Sequence, residues 1–165
     1  MSIKNLILSF IVVFAIWLLL NYEAIDPINI LIGAVISLVI SLIFCNSCDV
    51  FTDLKISPKA LLFTILYIFV FFGELIKSNL DVARRVLTPS LPINPGIVEV
   101  KTKLKSKMGR IILANSITLT PGTLTIEIKG DSLFIHWIDV ESEDINEATK
   151  QIVRKFEKYL EVIYA

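Results

Sequence analysis

The sequence predicts an α-helical membrane segment of two to three hydrophobic helices, followed by a small α+β domain with the order β-α-β-β-α. The 165 residues are 55% hydrophobic with a mean hydropathy of +0.73, against roughly 45–50% apolar residues in soluble domains. Three long apolar segments all lie within residues 1–88, whereas residues 89–165 alternate between strand-like and helix-like hydrophobic periods. These observations indicate a membrane part (residues 1–88) and a polar domain (residues 89–165).

The charge balance excludes one class of partner. Residues 1–88 contain six Lys/Arg and six Asp/Glu, and residues 89–165 contain ten of each. Neither part carries the net positive charge that is typical of a nucleic-acid-binding domain, so no nucleic-acid partner is expected. The first apolar segment is followed by Asn21, Tyr22 and Glu23 rather than by a small-residue cleavage site, which favours a retained span over a signal peptide.

The first two apolar segments, about residues 3–22 and 26–45, predict a helical membrane hairpin. Each approaches the roughly 20 residues that a spanning helix needs. Asp26 and Pro27 suit the N-cap and the first position of the second helix. Small residues recur at every fourth position of that helix, which predicts a close helix–helix contact face. They are Gly33, Ser37 and Ser41.

The third apolar segment, about residues 59–76, continues as an amphipathic pattern to residue 87. The loop at residues 21–27 holds no Lys or Arg, whereas Lys55 and Lys59 lie before and at the start of the third segment and further cations follow it. By the positive-inside rule, the first loop faces outward and both ends of the third segment face the cytoplasm. We therefore expect two spans, a cytoplasmic C-terminal domain, and a third segment along the membrane surface or against partner subunits. A third span is the open alternative.

Residues 89–165 indicate three strands and two helices. The proline-rich segment at residues 89–96 is unsuited to helix, and Gly130-Asp131 suits a hairpin loop. Ser106 and Ser142 are placed to cap the two helices. The predicted strands cover residues 97–104, 124–129 and 133–140, and the predicted helices cover residues 107–116 and 143–163. We expect both helices to cover one face of the three strands.

A signature run lies between the first of these helices and the strand that follows it. Pro121 sets φ at about −65°, and Gly122 accepts a positive φ, which suits the central positions of a type II turn. Alternating apolar and hydroxyl residues on both sides are typical of half-buried extended chain. The signature residues are Asn115, Ser116, Thr118, Thr120, Pro121, Gly122 and Thr123. By residue chemistry alone they define a turn and no reaction.

The run Leu-Ala-Asn-Ser-Ile-Thr-Leu-Thr-Pro-Gly-Thr at residues 113–123 resembles the E subunit of the multisubunit Na⁺/H⁺ antiporters of the Mrp or Mnh type. The segment Asn-Pro-Gly-Ile-Val at residues 94–98 and the pair His136-Trp137 are similar to the family pattern as well. The hydrophobic half matches only in character. The resemblance implies a multi-pass protein of the cell membrane with a cytoplasmic domain, in which the signature is a fold-defining element or a subunit interface.

The implied function is that of an accessory or assembly subunit of a cation/proton antiporter complex, which is neither an enzyme nor the subunit that moves the ions. The implied partners are the other hydrophobic subunits of the complex and membrane lipid, and no cofactor is implied. Two alternatives stay open. One is the equivalent subunit of a membrane-bound hydrogenase or a related complex built on antiporter modules. The other is a stand-alone membrane transporter or enzyme.

Glu74 is the candidate for an ion path. It is the only acidic residue near a segment that could lie in lipid, and carboxylates in such positions mark ion pathways. Lys77 follows three residues later, at the spacing of an ion pair on one helix. The second interpretation, a structural pair between Glu74 and Lys77, is the one that we favour.

Three further groups carry weaker chemical signals. Cys45 and Cys48 form a CxxC pair, but it follows a helix C-terminus and lacks further zinc ligands, so neither a redox nor a metal site is expected. His136 is expected to be a satisfied or exposed strand residue. A basic run suits a solvated strand face, with anionic headgroups or an acidic partner as the alternative. It comprises Lys101, Lys103, Lys105, Lys107 and Arg110.

Overall fold

The computed structural model of the protein describes residues 3–24, 26–45 and 53–164. The helices are α1 (Ile3–Leu20), α2 (Pro27–Cys45), α3 (Pro58–Leu87), α4 (Lys107–Leu119), α5 (Ile145–Ile152) and α6 (Arg154–Ile163). The strands are β1 (Gly96–Lys101), β2 (Thr123–Lys129) and β3 (Ser132–Trp137). The chain divides into two compact units, Met1–Leu54 and Lys55–Ala165, so α3 belongs to the same unit as the sheet.

The first unit contains the hairpin of α1 and α2. Asp26 begins α2 as predicted, because its Oδ1 accepts a hydrogen bond from the N–H of Asn29 at 2.7 Å and Pro27 is the first helical residue. By length and composition, two described helices could cross a membrane, Ile3–Leu20 and Pro58–Leu87, and Pro27–Ile43 is a shorter apolar helix. Length and composition alone therefore do not decide whether α3 spans a membrane, and its packing bears on the question.

The predicted small-residue face of α2 is confirmed as its contact with α1. Ser37 and Ser41 are fully buried. A Cβ atom on Gly33 would lie 2.2 Å from Cδ1 of Trp17, so the indole occupies the space of the missing side chain. The Trp17 Nε1 donates to the carbonyl of Asn29 at 3.2 Å, which fixes the ring over Gly33. The hairpin thus depends on close approach of the two backbones.

The second unit contains a three-stranded antiparallel sheet in the order β1-β3-β2. This confirms the predicted α+β domain. Val98 pairs with Ile135 and Val100 pairs with Leu133, and all four side chains are buried. Helix α5 packs on β1 and α4 packs on β2, while α6 contacts α3, α4 and α5. The core lies between the sheet and these helices.

Two boundaries of this unit differ from the sequence prediction. Helix α4 continues past residue 116 to Leu119, because the hydroxyl of Thr120 donates to a carbonyl of the last turn at 2.7 Å. Strand β3 ends at Trp137 instead of residue 140, because the N–H of Ile138 donates to the carbonyl of Gly122 at 2.8 Å. Both changes occur where the signature turn meets the sheet.

The final helix begins and divides differently from the prediction. Asp144, and not Ser142, is its N-cap, because Oδ1 of Asp144 accepts from the N–H groups of Asn146 and Glu147 at 2.9 and 3.0 Å. A carboxylate that serves two free amides is favoured at this position by the helix dipole. The helix is interrupted at Val153, which separates α5 from α6.

Helix α3 is continuous over 30 residues, and one face of it packs on α6. The ring of Phe63 lies 6.1 Å from that of Tyr159, and the rings of Tyr67 and Phe71 each lie 6.4 Å from that of Phe156. The sequence placed the division between the two parts after residue 88. By contacts the division falls before Lys55, because the inner face of α3 joins it to the polar domain.

Candidate functional site

The signature turn joins α4 to β2. Gly122 has a φ of +92°, and the N–H of Thr123 donates to the carbonyl of Thr120 at 3.3 Å, as in a type II turn. A Cβ atom on Gly122 would lie 3.0 Å from Cγ2 of Ile138. Glycine is therefore required at this position both by the backbone conformation and by the space beside β3.

The threonine hydroxyls of the signature are bound to backbone atoms of the same unit. Thr120 Oγ1 donates to the carbonyl four residues earlier at 2.7 Å, and Thr123 Oγ1 donates to the carbonyl of Ile117 at 2.6 Å. These carbonyls belong to the last turn of α4, where helical partners are missing. Thr118 Oγ1 accepts from the N–H of Thr125 at 3.1 Å, which occupies an amide of the edge strand β2. These side chains therefore hold the turn together.

The two remaining polar residues of the signature, which are neighbours on α4, differ in exposure. Ser116 is buried, and its Oγ donates to the carbonyl of Ile112 at 2.7 Å and shares a hydrogen bond with the hydroxyl of Tyr67 on α3. Asn115 is exposed on the outer face of α4 together with Leu119. Ser116 thus connects α4 to α3, while Asn115 is accessible at the surface.

A cavity of about 540 Å³ lies between the signature turn, α3 and α6. Thr120, Pro121, Gly122 and Thr123 line one side of it. The charged residues that line it are Glu74, Lys77, Asp81, Arg85, Asp139, Glu141 and Lys155. The two sites singled out in the sequence, the signature and Glu74, therefore meet in one place.

Glu74 is paired with a lysine of another helix. Its Oε2 lies 2.6 Å from Nζ of Lys155 on α6, and both side chains are partly exposed. The predicted pair with Lys77 is wrong, since Lys77 makes no ion pair with any described residue. The pair with Lys155 connects α3 to α6 and balances the charge of the carboxylate.

Arg85 organises the other end of the cavity. Its Nε donates to Oδ2 of Asp81 at 2.7 Å, and its Nη1 donates to Oδ2 of Asp139 at 2.6 Å and to the carbonyl of Pro92 at 2.8 Å. Charge-assisted bonds of this kind are stronger than neutral ones. They attach the C-terminal end of α3 to the segment that follows β3.

Most of the charged side chains around the cavity are paired with one another. The acids Glu74, Asp81 and Asp139 are each paired with a lysine or arginine. Within residues 3–24, 26–45 and 53–164, no group of three or more His, Cys, Asp or Glu side chains could hold a metal ion. The charges of the cavity therefore act mainly on one another, and they fix α3 against the turn.

The other candidates from the sequence lie away from this cavity. His136 is partly exposed on the open face of the sheet, where it is paired in register with Ile97 of β1 and Leu124 of β2. Cys48 lies outside the described residues, as does the side chain of Cys45. His136 is thus separate from the signature, and the CxxC pair belongs to another part of the chain.

The basic run is divided between paired and exposed residues. Lys101 lies 3.2 Å from Glu99, and Ser132 Oγ donates to the same carboxylate at 2.8 Å. The hydrogen bond from Ser132 and then that from Lys101 lower the pKa of Glu99 from its ordinary value. The hydrogen bond with Glu99 raises the pKa of Lys101 in turn. Four members of the run are exposed, namely Lys101, Lys103, Lys105 and Lys107.

Sequence reasoning missed the buried carboxylate of Glu157, which is 3% exposed. Its Oε1 accepts from the hydroxyl of Thr102 and from the N–H of Lys103, both at 2.6 Å. These bonds draw the chain away from the sheet, so β1 ends at residue 101 and not at 104. The available signal was an acid on the apolar face of the last helix, four residues after Val153 and three before Leu160.

Comparisons with known proteins agree on one family. A family model described as Na⁺/H⁺ ion antiporter subunit matches residues 10–163. The E1 subunit of the Na⁺/H⁺ antiporter of Staphylococcus haemolyticus is 34% identical over 163 residues, which is 92% of this chain and 96% of that protein. The E subunit of the Na⁺/H⁺ antiporter of Alkalihalophilus pseudofirmus is 47% identical over 77 residues, 46% of this chain and 49% of that protein. The chain thus spans about half the length of this second relative.

A solved structure resembles the whole chain. It is a chain of the membrane-bound sulfane sulfur reductase, an archaeal respiratory membrane complex. The two chains are 45% identical with a TM-score of 0.85, and the alignment covers 98% of this chain and 100% of the other. The similarity therefore includes the hydrophobic half as well as the α+β domain.

Proposed function

Since the chain belongs to the family of Na⁺/H⁺ antiporter E subunits, we propose that it is an accessory subunit of a cation/proton antiporter complex. In this proposal it helps to assemble or stabilise the complex, and other hydrophobic subunits translocate the ions. Its partners are those subunits and the surrounding lipid.

The observation that carries the proposal is the scarcity of charged residues in the hairpin. Lys4, near the start of α1, is the only charged side chain of α1, and α2 has no Asp, Glu, Lys, Arg or His. A path for cations or protons through lipid requires such groups near the middle of the membrane. Glu74 is paired with Lys155, which supports a structural role for it.

The packing of α3 supports two spans rather than three. Along its apolar half, α3 contacts α6 through Phe63, Tyr67 and Phe71. A spanning α3 would carry the exposed charges of α6, such as Lys158 and Glu161, into the hydrocarbon. One charged side chain at the bilayer centre costs about 2.5–3.5 kcal/mol in insertion measurements. In this proposal α1 and α2 cross the membrane and α3 does not.

The charge distribution supports a cytoplasmic location for the second unit. The loop between α1 and α2 contains Glu23 and Asp26 and no Lys or Arg. Lys55 and Lys59 flank the start of α3, after the second span. Short loops that are rich in Lys and Arg stay on the cytoplasmic side, so the α+β domain and the cavity face the cytoplasm in this proposal.

We assign the signature two roles. Its hydroxyls, Pro121 and Gly122 define the fold at the junction of α4, β2 and β3. Asn115 is exposed beside Leu119, a neighbour outside the signature residues, and is available to a partner subunit. Asn115→Arg should then reduce copurification of partner subunits without lowering the melting temperature. The control change Lys150→Glu, at an exposed position of α5, should affect neither property.

The accessory role is tested by Glu74→Gln in the assembled complex. Gln retains an acceptor for Lys155 but removes the titratable group. Cation-dependent proton exchange, measured in inverted vesicles with a pH-sensitive dye and normalised to assembled complex, should stay unchanged. Glu161→Gln, a change of an exposed acid on α6, is the control. A normally assembled Glu74→Gln complex without exchange would contradict the proposal.

The full-length match to a chain of an archaeal respiratory membrane complex favours a second candidate. In this alternative the chain has the same structural role, but the antiporter-type subunits are part of a larger redox complex. Affinity purification of the tagged chain from mild detergent distinguishes the two. Copurification with antiporter-type subunits alone supports the first candidate, and additional subunits that bind redox metal clusters support the second.

A further inference from the structure

The outer face of α3 is an apolar stripe that runs the length of the helix. The side chains along its centre line are exposed: Phe69 by 71%, Ile76 by 62%, Leu80 by 67% and Leu87 by 82%. At about 100° per residue these side chains lie along one line, opposite the face that packs on α6. A contiguous exposed apolar surface marks a contact with a membrane or a protein.

The exposed charges beside this stripe are cationic and follow one edge of it. Lys59 and Lys77 are 18 residues, or five helical turns, apart, and Arg84 lies within about 20° of both on the helix circumference. All three are exposed, and none forms an ion pair with a described residue. Lys77 lies where the stripe meets the cavity, which it also lines. The acidic side chains of α3 already form ion pairs, Glu74 with Lys155 and Asp81 with Arg85. The unpaired charge of α3 is therefore positive.

We propose that α3 lies in the plane of the membrane surface and binds anionic lipid. Its apolar stripe enters the boundary between headgroups and acyl chains, and Lys59, Lys77 and Arg84 contact headgroup phosphates. This inference rests on the proposed function, because it requires the second unit to lie beside the anionic cytoplasmic leaflet.

The cationic side chains along the edge of the apolar stripe favour lipid over a protein partner. Lysine and arginine can keep their aliphatic stems along an apolar surface while the charged ends reach phosphate. An apolar face with cations at its border is typical of helices that lie at the membrane interface. The inner face of α3 is committed to α6 and the signature through Tyr67, Phe71 and Glu74. Only the outer face remains for the membrane.

Depth measurements test the proposal directly. Single cysteines at Leu62, Phe69 and Ile76, in a Cys45→Ser and Cys48→Ser background, carry spin labels in the complex reconstituted into phosphatidylcholine/phosphatidylglycerol vesicles. All three labels should lie at the same shallow depth, about 5–10 Å below the headgroups. Labels at Ile11, in the middle of α1, and at exposed Ile97 in β1 serve as the deep and aqueous controls.

Two other results would overturn the proposal. If α3 spans the membrane, the label at Phe69 will lie about 10 Å deeper than those at Leu62 and Ile76, which are each seven residues away toward opposite surfaces. If a partner subunit covers the stripe, the labels will be immobile and shielded from oxygen in the complex. A spanning α3 would also overturn the two-span topology. Either result can occur with intact assembly and exchange, so failure of this inference is distinguishable from failure of the proposed accessory role.

The charge requirement is tested separately. The double variant Lys77→Glu and Arg84→Glu should bring the label at Phe69 several ångströms closer to water in vesicles that contain phosphatidylglycerol, and should have no effect in pure phosphatidylcholine. Lys150→Glu on α5 is the matched control and should leave the depth unchanged in both. An equal response of the double variant in both lipids would contradict a role for anionic headgroups.

Discussion

The two compact units use small buried polar residues in opposite ways. In α2, the hydroxyls of Ser37 and Ser41 are fully buried and bind no described residue. In the second unit, the hydroxyls of Ser116, Thr120 and Thr123 each donate to a backbone carbonyl. The serines of the hairpin act by being small, which lets helices approach in lipid. The hydroxyls of the signature act by hydrogen bonding, so substitutions should affect the two units differently.

The largest effect is expected at the close contact of the hairpin. Gly33→Ala places a Cβ atom against the Trp17 indole and should destabilise the hairpin by about 3 kcal/mol. Gly73→Ala is the matched control, because its Cβ meets no atom within 4 Å. It should stabilise α3 by up to about 1 kcal/mol. Unfolding in mixed micelles, followed by Trp17 fluorescence in a Trp137→Phe background, measures the first, and helical circular dichroism measures the second.

A smaller loss is expected at the signature turn. Gly122→Ala adds backbone strain at φ +92° and a contact with Ile138, and should cost about 2 kcal/mol. At Gly130, φ is +61° and the space around a Cβ atom is open, so Gly130→Ala should cost only about 1 kcal/mol. Denaturant unfolding followed by Trp137 fluorescence in a Trp17→Phe background gives both values. Equal losses would show that the contact with Ile138 is unimportant.

Hydroxyl deletions compare the two units most directly. Thr120→Val keeps the shape of the side chain but removes the hydrogen bond to a buried carbonyl of α4, which should cost about 1 kcal/mol. Ser41→Ala removes a hydroxyl with no described partner and should change hairpin stability by only a few tenths of a kcal/mol. If Ser41→Ala is the more damaging change, hydrogen bonding holds the hairpin and the distinction between the units fails.

The smallest effect concerns the exposed sheet face. Because the pKa of Glu99 is lowered in the folded state, its stabilising contribution is complete above the unfolded-state pKa of about 4.3. It is lost as pH falls through the folded-state pKa. The melting temperature of the wild-type chain should exceed that of Glu99→Gln at neutral pH, and the difference should vanish on acidification below pH of about 4. A difference that grows at acidic pH would contradict this sign.

Local signals explain which features could be predicted from the sequence. The type II turn depends on Pro121-Gly122, the start of α2 on Asp26-Pro27, and the hairpin contact on residues four apart. Each of these signals lies within about two helical turns of chain. The three strands of the α+β domain follow from alternation and turn chemistry of the same short range.

The placement of α3 could not be predicted, because its partners are distant in sequence. Lys155 is 81 residues from Glu74, and Asp139 is 54 residues from Arg85. By sequence spacing alone, Lys77, three residues from Glu74 on the same helix, is the expected ion-pair partner. In the fold, however, Glu74 faces α6, while Lys77 lies at the exposed border of the cavity, between that face and the outer stripe of α3. Only the tertiary packing decides between these lysines, and it also assigns α3 to the second unit.

The central claim is that α1 and α2 are the two spans and that α3 stays with the α+β domain in the cytoplasm. Its most direct test is labelling of single cysteines at Glu23 and Lys150 with a membrane-impermeant thiol reagent, in a Cys45→Ser and Cys48→Ser background. We predict that Glu23→Cys reacts in intact cells and that Lys150→Cys reacts only after permeabilisation. Reaction of both positions from the same side would require an even number of spans between them, as when α3 also crosses the membrane, and would contradict the claim.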